Sequence, residues 1–223
     1  MNLGEIVEAA IGQVIPLTSA DQLVNANKEF VRLMANKAYK QIERRTLWKF
    51  SEAEEEVTAT SGVRVCADVP VDFAIPLEIF NLSTKQELTY HDERQGTLIL
   101  DQPGSVKMYG LWKDELRWYP LPKATETLML KYYKSWPELT DDSDEPIIPS
   151  AWQYLIVDYA SGQLARRLPP TGDRFLPHSK ADPWIQDFLV GVEEMANSDL
   201  VLKTWDRVPN YEFENEVLGM GEW

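Results

Sequence analysis

The chain has 223 residues, a formal net charge of -14, and 44% hydrophobic and 11% aromatic residues. That is enough for one large domain or two small ones with a sizeable core, and too apolar for a disordered chain. The acidity argues against a protein that grips nucleic acid phosphates, because that binding runs on Lys and Arg displacing counterions. No window holds the roughly 18 uninterrupted apolar residues of a membrane span. The single Cys66 has no internal disulfide partner, and with only His91 and His178 beside it a cysteine and histidine zinc site is not expected.

In chain order, the opening MNLGEIVEAAIGQVI reads as a short helix over residues 1 to 13, with Leu3, Ile6, Val7 and Ala10 on one side. It carries an acidic residue where a signal peptide needs a basic one, so export by that route is not expected. Ser19 with Gln22 fits a capping box and opens a long amphipathic helix placed at about 19 to 47. Its apolar line is Leu23, Ala26, Phe30, Leu33, Met34, Ala38 and Ile42. The helix runs out in ERRTLWKF, where Leu47, Trp48 and Phe50 make an aromatic turn.

From Glu54 to Lys134 the pattern changes to short strands with turn residues between them. EEEVTAT, VRVCAD and the pair Ile79-Phe80 come first, punctuated by Pro70 and Pro76. ELTYHDE, GTLILD, SVKMYGLW, LRWYPL and TLMLKYYK follow. Such a run suits one compact antiparallel sheet or a small barrel.

Next come a very acidic loop and a helix entered through Pro149, whose fixed φ and missing amide proton suit a first helical turn. Apolar or small residues cover most of that helix's circumference, so it should be buried on several sides. Small Ala160, Ser161, Gly162 and Ala165 permit another helix to approach closely. Pro169-Pro170 ends it. A last helix starts at Pro183 behind a capping Asp182, with Trp184, Phe188, Val192, Met195 and Leu200 as its face. Residues 206 to 223, DRVPNYEFENEVLGMGEW, are too broken for a helix and too apolar for an idle tail. The expected class is α+β. Segments 1–52 and 136–205 form a helical bundle built from both ends of the chain, 53–135 an inserted antiparallel β domain, and 206–223 an extended C-terminal arm.

No motif in the chain carries catalysis. There is no Gly-x-Ser-x-Gly elbow, no Walker loop and no His-Glu-x-x-His, and no enzyme activity, metal or cofactor is expected. The loop with Glu138, Asp141, Asp142, Asp144 and Glu145 lacks the glycine and closing glutamate of a calcium loop, leaving a solvated loop or one that faces a channel. Glu54, Glu55 and Glu56 read as an exposed strand edge or an interface. Cys66 reads as a small buried side chain. Tyr90, Trp112, Trp118 and Tyr119 are either sheet core with a few interface rings or a platform for sugar or single-stranded nucleic acid, for which flanking basic residues are sparse. Arg44, Arg45, Arg166 and Arg167 either offset helix dipoles or form salt bridges to a neighbouring subunit.

Three stretches together resemble the head-to-tail adaptor, or neck, proteins of tailed bacteriophages. They are the helix ending in ERRTLWKF, the segment VPVDFAIPLEIFN, and YYKSWPELTDDSDEPIIPSAWQYLIVDYASGQLARRL. The last follows the family theme of Tyr-Tyr-Lys, Pro and Leu, an acidic loop, then Ile-Pro before a helix. The second has Val-Pro-Val-Asp where Leu-Pro is usual. The resemblance covers about residues 19 to 200 and implies a structural virion protein of the neck, assembled in the bacterial host cytoplasm. Its implied form is a ring of about twelve copies that joins the portal protein to tail or nozzle proteins and continues the DNA channel without binding DNA specifically or contacting a membrane. It further implies that the arm, through Tyr211, Phe213, Val217, Leu218 and Trp223, docks on the portal or a neighbour. Asp141, Asp142, Asp144 and Glu145 are then the candidate channel-facing acids. A carbohydrate- or peptide-binding virion module using the aromatic β domain is the alternative reading.

Overall fold

The computed structural model describes residues 1–15, 21–91, 102–113, 115–168 and 181–198, the side chains of 21–26 excepted. Among the described residues the architecture is α+β, with four α-helices and two sheets. The described residues divide into two compact units, one made of Met1–Ser51 with 135–198, the other of Glu52–Lys134. Gln22, Ser19, Leu23, Ala26, Asp114, Pro169, Pro170, His178, Leu200, the segment GTLILD and the proposed arm lie outside the described residues or side chains.

In the first unit, helix α1 spans Leu3–Val14 and buries Leu3, Ile6, Val7, Ala10, Ile11 and Val14. Its start is a capping box that the sequence reading passed over. Asn2 accepts from the Glu5 backbone at 2.8 Å while Glu5 accepts from the Asn2 backbone at 3.0 Å, so two groups at the helix start satisfy each other. Helix α2, Asp21–Glu43, is shorter than its periodicity suggests. It stops at Glu43 because the chain turns so that the Trp48 indole N–H donates to the Ile42 carbonyl at 2.8 Å, occupying an acceptor of the last turn. Its buried line is also rotated from the expected one. Val31, Ala35, Ala38, Tyr39 and Ile42 are buried, whereas Leu33 is 62% exposed.

After the sheet region a 3₁₀ turn, Ser150–Trp152, precedes helix α3, Tyr154–Arg167. Pro149 therefore opens the 3₁₀ turn and not the α-helix. Helix α4 spans Ala181–Ala196, with Asp182 and Pro183 inside its first turn, where an acidic residue and a proline are both favourable, in place of the expected cap. Helix α3 packs against α1, α2 and α4, as its lack of a polar face requires. At the α3–α4 crossing a Cβ on Gly162 would lie 2.7 Å from Ile185 and 3.0 Å from the Ala181 carbonyl, so only glycine allows that approach. Tyr39 of α2, Trp48, Phe50 and Trp136 form one aromatic group, with Tyr39 and Trp136 centroids 4.8 Å apart. The Trp136 indole N–H donates to the Ser51 hydroxyl at 2.6 Å, so this large ring is buried without an orphaned donor.

The second unit holds strands β1 (Glu52–Ala59), β2 (Phe73–Asn81), β3 (Gln86–Glu87), β4 (Thr89–Tyr90), β5 (Met108–Trp112), β6 (Glu115–Tyr119) and β7 (Glu126–Lys134). Among the described residues they make two sheets, where a single sheet or small barrel was expected. One is antiparallel in the order β1-β7-β2-β3; the other has the order β4-β5-β6, with β4 and β5 parallel. Their inner faces share a core that includes Val57, Ile79, Leu128 and Leu130 from the first sheet and Tyr109, Leu116 and Trp118 from the second. VRVCAD forms no strand; Val65 makes an isolated bridge to Arg117. Pro76 does not end β2 but sits beside an irregularity in its pairing with β7, which is where a strand tolerates a residue without an N–H.

Candidate functional site

Four polar residues of α2, Arg32, Asn36, Lys40 and Glu43, recur every three or four positions and so lie along one side of the helix. The sequence reading assigned them no role. Each takes hold of the segment that leaves the sheet region. The Trp136 N–H donates to Glu43 at 2.5 Å, and Lys40 donates to the Trp136 carbonyl. Asn36 donates to the Leu139 carbonyl at 2.8 Å and accepts from the Leu139 N–H at 2.9 Å. Arg32 pairs with Asp142. Further on, the Ile147 N–H donates to the Tyr39 hydroxyl at 3.1 Å, and burial, ahead of the nearby Glu43 charge, pushes that phenol up to about 12. A stretch without regular structure thus has its backbone groups satisfied by the side of one helix, as a partly buried backbone must.

The signal was the spacing of polar residues just off the apolar line. It carried no address, since the partner segment lies about a hundred residues away.

The acidic loop at the end of this segment is seated on the start of α1. The carbonyls of Asp144 and Asp142 accept from the Leu3 and Gly4 N–H groups at 2.8 and 3.0 Å, filling two of the amides that a helix start leaves unpaired. A Cβ on Gly4 would meet the Asp142 Cβ at 3.2 Å, so the seat requires a very small residue. Within the loop, the Asp144 carboxylate accepts from the Asp141 and Thr140 N–H groups at 2.8 and 2.7 Å, which holds it below the usual carboxylate range. The four candidate acids therefore divide. Asp144 is turned into its own loop and Asp142 faces Arg32, while the exposed Asp141 and Glu145 have no side-chain partner among the described residues.

The four candidate arginines divide as well. Arg45 pairs with Glu193 at 2.5 Å, Arg166 with Asp182 at 2.7 Å, and Arg167 lies over the Phe30 ring at 4.4 Å. Arg44, beyond the end of α2, is exposed and forms no ion pair among the described residues. Three of the four are thus engaged within the subunit.

In the second unit, Trp118 and Tyr119 are core residues, 0% and 1% exposed, while Trp112 and Tyr90 remain at the surface. The suggested aromatic platform is split between core and surface. Glu54, Glu55 and Glu56 are exposed on edge strand β1, with Glu55 accepting from the Tyr132 hydroxyl at 3.3 Å. On the same sheet an open depression of about 390 Å³ is bordered by Glu54, Phe80, Met129 and Lys131. Cys66 is buried beside Asp68; burial first, and the hydrogen bond to Asp68 second, push its thiol up to about 12. His91 packs edge-on against Tyr119 at 5.2 Å. Among the described residues no group of three or more His, Cys, Asp or Glu is placed to hold a metal ion, and no helix is long and apolar enough to cross a membrane.

The residues brought together here hold chain segments in place. A search of curated proteins finds no match. The family model described as SU10 adaptor protein matches residues 1–208, across both units, and the chain belongs to that family of bacteriophage adaptor proteins.

Proposed function

We propose that the chain is a structural, non-enzymatic component of the virion neck, a head-to-tail adaptor whose copies form a ring of about twelve beneath the portal protein. The ring joins the portal to tail or nozzle proteins and prolongs the channel through which DNA passes. The observation that carries this reading is the family match over residues 1–208. The charge of -14 is in keeping with it, since DNA slides past an acidic surface without being held. The apolar segment 206–223 has the composition of a chain that orders on a partner.

In this reading Tyr211, Phe213, Val217, Leu218 and Trp223 dock on the portal or on a neighbouring copy. Asp141 and Glu145, the two loop acids without a partner among the described residues, face the channel. Deletion of 206–223 is expected to leave a folded chain that no longer binds portal. A truncated chain that binds as tightly as the full one overturns the role of the arm. Neutralising Asp141 and Glu145 is expected to raise DNA retention by the assembled ring at low salt, and unchanged retention would place the loop outside the channel.

A further inference from the structure

We infer that the helical unit carries the two halves of a head-to-tail contact between copies of this chain: the exposed stripe of Leu33 and Lys37 on α2, with Arg44 just past its end, docks on the neighbour's α4 face at Asp187, Val190 and Glu194. The inference rests on the ring reading above and names the surfaces that would build it.

Both halves are helix faces that the described residues leave exposed. Leu33 and Lys37 are one turn apart on α2, and Arg44, just past its end, still donates its N–H to the Lys40 carbonyl at 3.2 Å and so continues the same side. Leu33 is 62% exposed, an unusual place for a large apolar residue on a helix with its own buried line. On α4, Asp187, Val190 and Glu194 are spaced three and four apart and also share one side. Val190 is 46% exposed, and beside this face stands Tyr154 of α3, 45% exposed. Each half is therefore an apolar residue flanked by charge.

The charges are of opposite sign and unspent. Lys37 and Arg44 form no ion pair among the described residues, whereas Arg32, Lys40, Arg45 and Arg166 all do. On α4, Glu193 and Asp182 are taken by Arg45 and Arg166, which leaves Asp187 and Glu194 exposed and without an ion pair among the described residues. The acidic side is also crowded. Burial, and then the Asp187 charge, push the Asp158 carboxyl up to about 6, and Asp158, Asp187 and Glu194 all act on the Tyr154 hydroxyl. A cation from a neighbour would relieve that crowding.

Helix α3 packs on both α2 and α4, so the two faces lie on different helices of one unit. A contact between unlike faces that is not reciprocated is heterologous, and its repetition makes a ring where the rotation between copies closes. The apolar centre would exclude water while the flanking charges set partner and register. The segment 206–223 is a poor occupant for the α4 face, because it is itself acidic, with Asp206, Glu212, Glu214, Glu216 and Glu222 against Arg207.

Charge reversal with a mixing test decides the matter. The full chain is made as K37E/R44E and, separately, as D187K/E194K, and the mass of each is measured alone, with the portal protein, and after the two are mixed. Each variant alone should lose at least tenfold in self-association. The mixture should recover it, because every contact in an alternating ring then joins opposite charges. Assembly of both variants as readily as the unmodified chain overturns the inference and leaves the ring reading standing. Loss of portal binding with self-association intact assigns the face to the portal and also overturns it. An unmodified chain that never self-associates, with portal or without, removes the ring reading and this contact with it.

Discussion

Asn36 and Leu139 exchange two hydrogen bonds, side-chain amide to backbone carbonyl at 2.8 Å and backbone N–H to side-chain oxygen at 2.9 Å, across 103 positions of sequence. The carboxamide imitates the edge of a strand and satisfies a buried residue that has no secondary-structure partner. Leu139 is 3% exposed, so water does not substitute readily. Asn36→Leu keeps the approximate shape and leaves both backbone groups unpaired, at a cost of about 1–3 kcal/mol for each. Urea denaturation of the two full-length chains measures this. A loss under about 0.5 kcal/mol would show that the segment is held chiefly by its apolar contacts.

Gly162 sets the distance between α3 and α4. In Gly162→Ala the gain in helix propensity, about 1 kcal/mol, is opposed by a methyl group pressed against the Ala181 carbonyl at 3.0 Å, a backbone atom that cannot rotate away. Overpacking of this kind costs about 1–3 kcal/mol. The variant is expected to be less stable in thermal or chemical denaturation; a more stable variant would mean the two helices separate freely.

Two carboxylates give the stability opposite dependences on pH. Asp144 is depressed by the Asp141 and Thr140 N–H groups, so its contribution is present above the unfolded carboxylate range and is lost as pH falls through the folded value. Asp158 is raised to about 6 by burial and by Asp187, so the folded state holds an extra proton from about pH 4 up to about 6 and stability falls as pH rises across that interval. Asp158→Asn should therefore flatten the upper part of the stability profile and be the more stable protein above pH 6. Asp144→Ala should flatten the acid limb. Parallel profiles for wild type and Asp158→Asn between pH 4 and 7 would contradict the assignment.

Cys66 is buried, and its thiol is pushed up to about 12 by that burial and by Asp68. Only the thiolate reacts with a disulfide reagent. Cys66 should be unreactive at pH 8 in the native chain and titrate fully once the chain is unfolded. Rapid reaction in the native state would place Cys66 at a surface.

The α+β class and the helix α1 face were legible because local periodicity matches burial there: Leu3, Ile6, Val7 and Ala10 are all buried. The crowding around Gly162 could be anticipated from a run of small residues on an otherwise apolar helix. Leu33 was misplaced because a three- or four-residue spacing admits two neighbouring stripes, and packing of Val31, Ala35 and Tyr39 selects the other one. VRVCAD has the composition of a strand, but only Val65 finds a bridge; strand propensity describes fitness for a sheet and does not supply a neighbour. Most hidden was the segment 136–142. Its acids suggested a free loop, whereas its conformation is set by Arg32, Asn36, Lys40 and Glu43, residues whose relation to it exists only after folding.

The central claim, that this adaptor assembles on the portal, is tested most directly by the mass of the purified chain, alone and mixed with the portal protein of the same genome, by native mass spectrometry. The account predicts a complex in which about twelve copies of the chain are added to one portal. A chain that stays monomeric and adds nothing to the mass of the portal would contradict it.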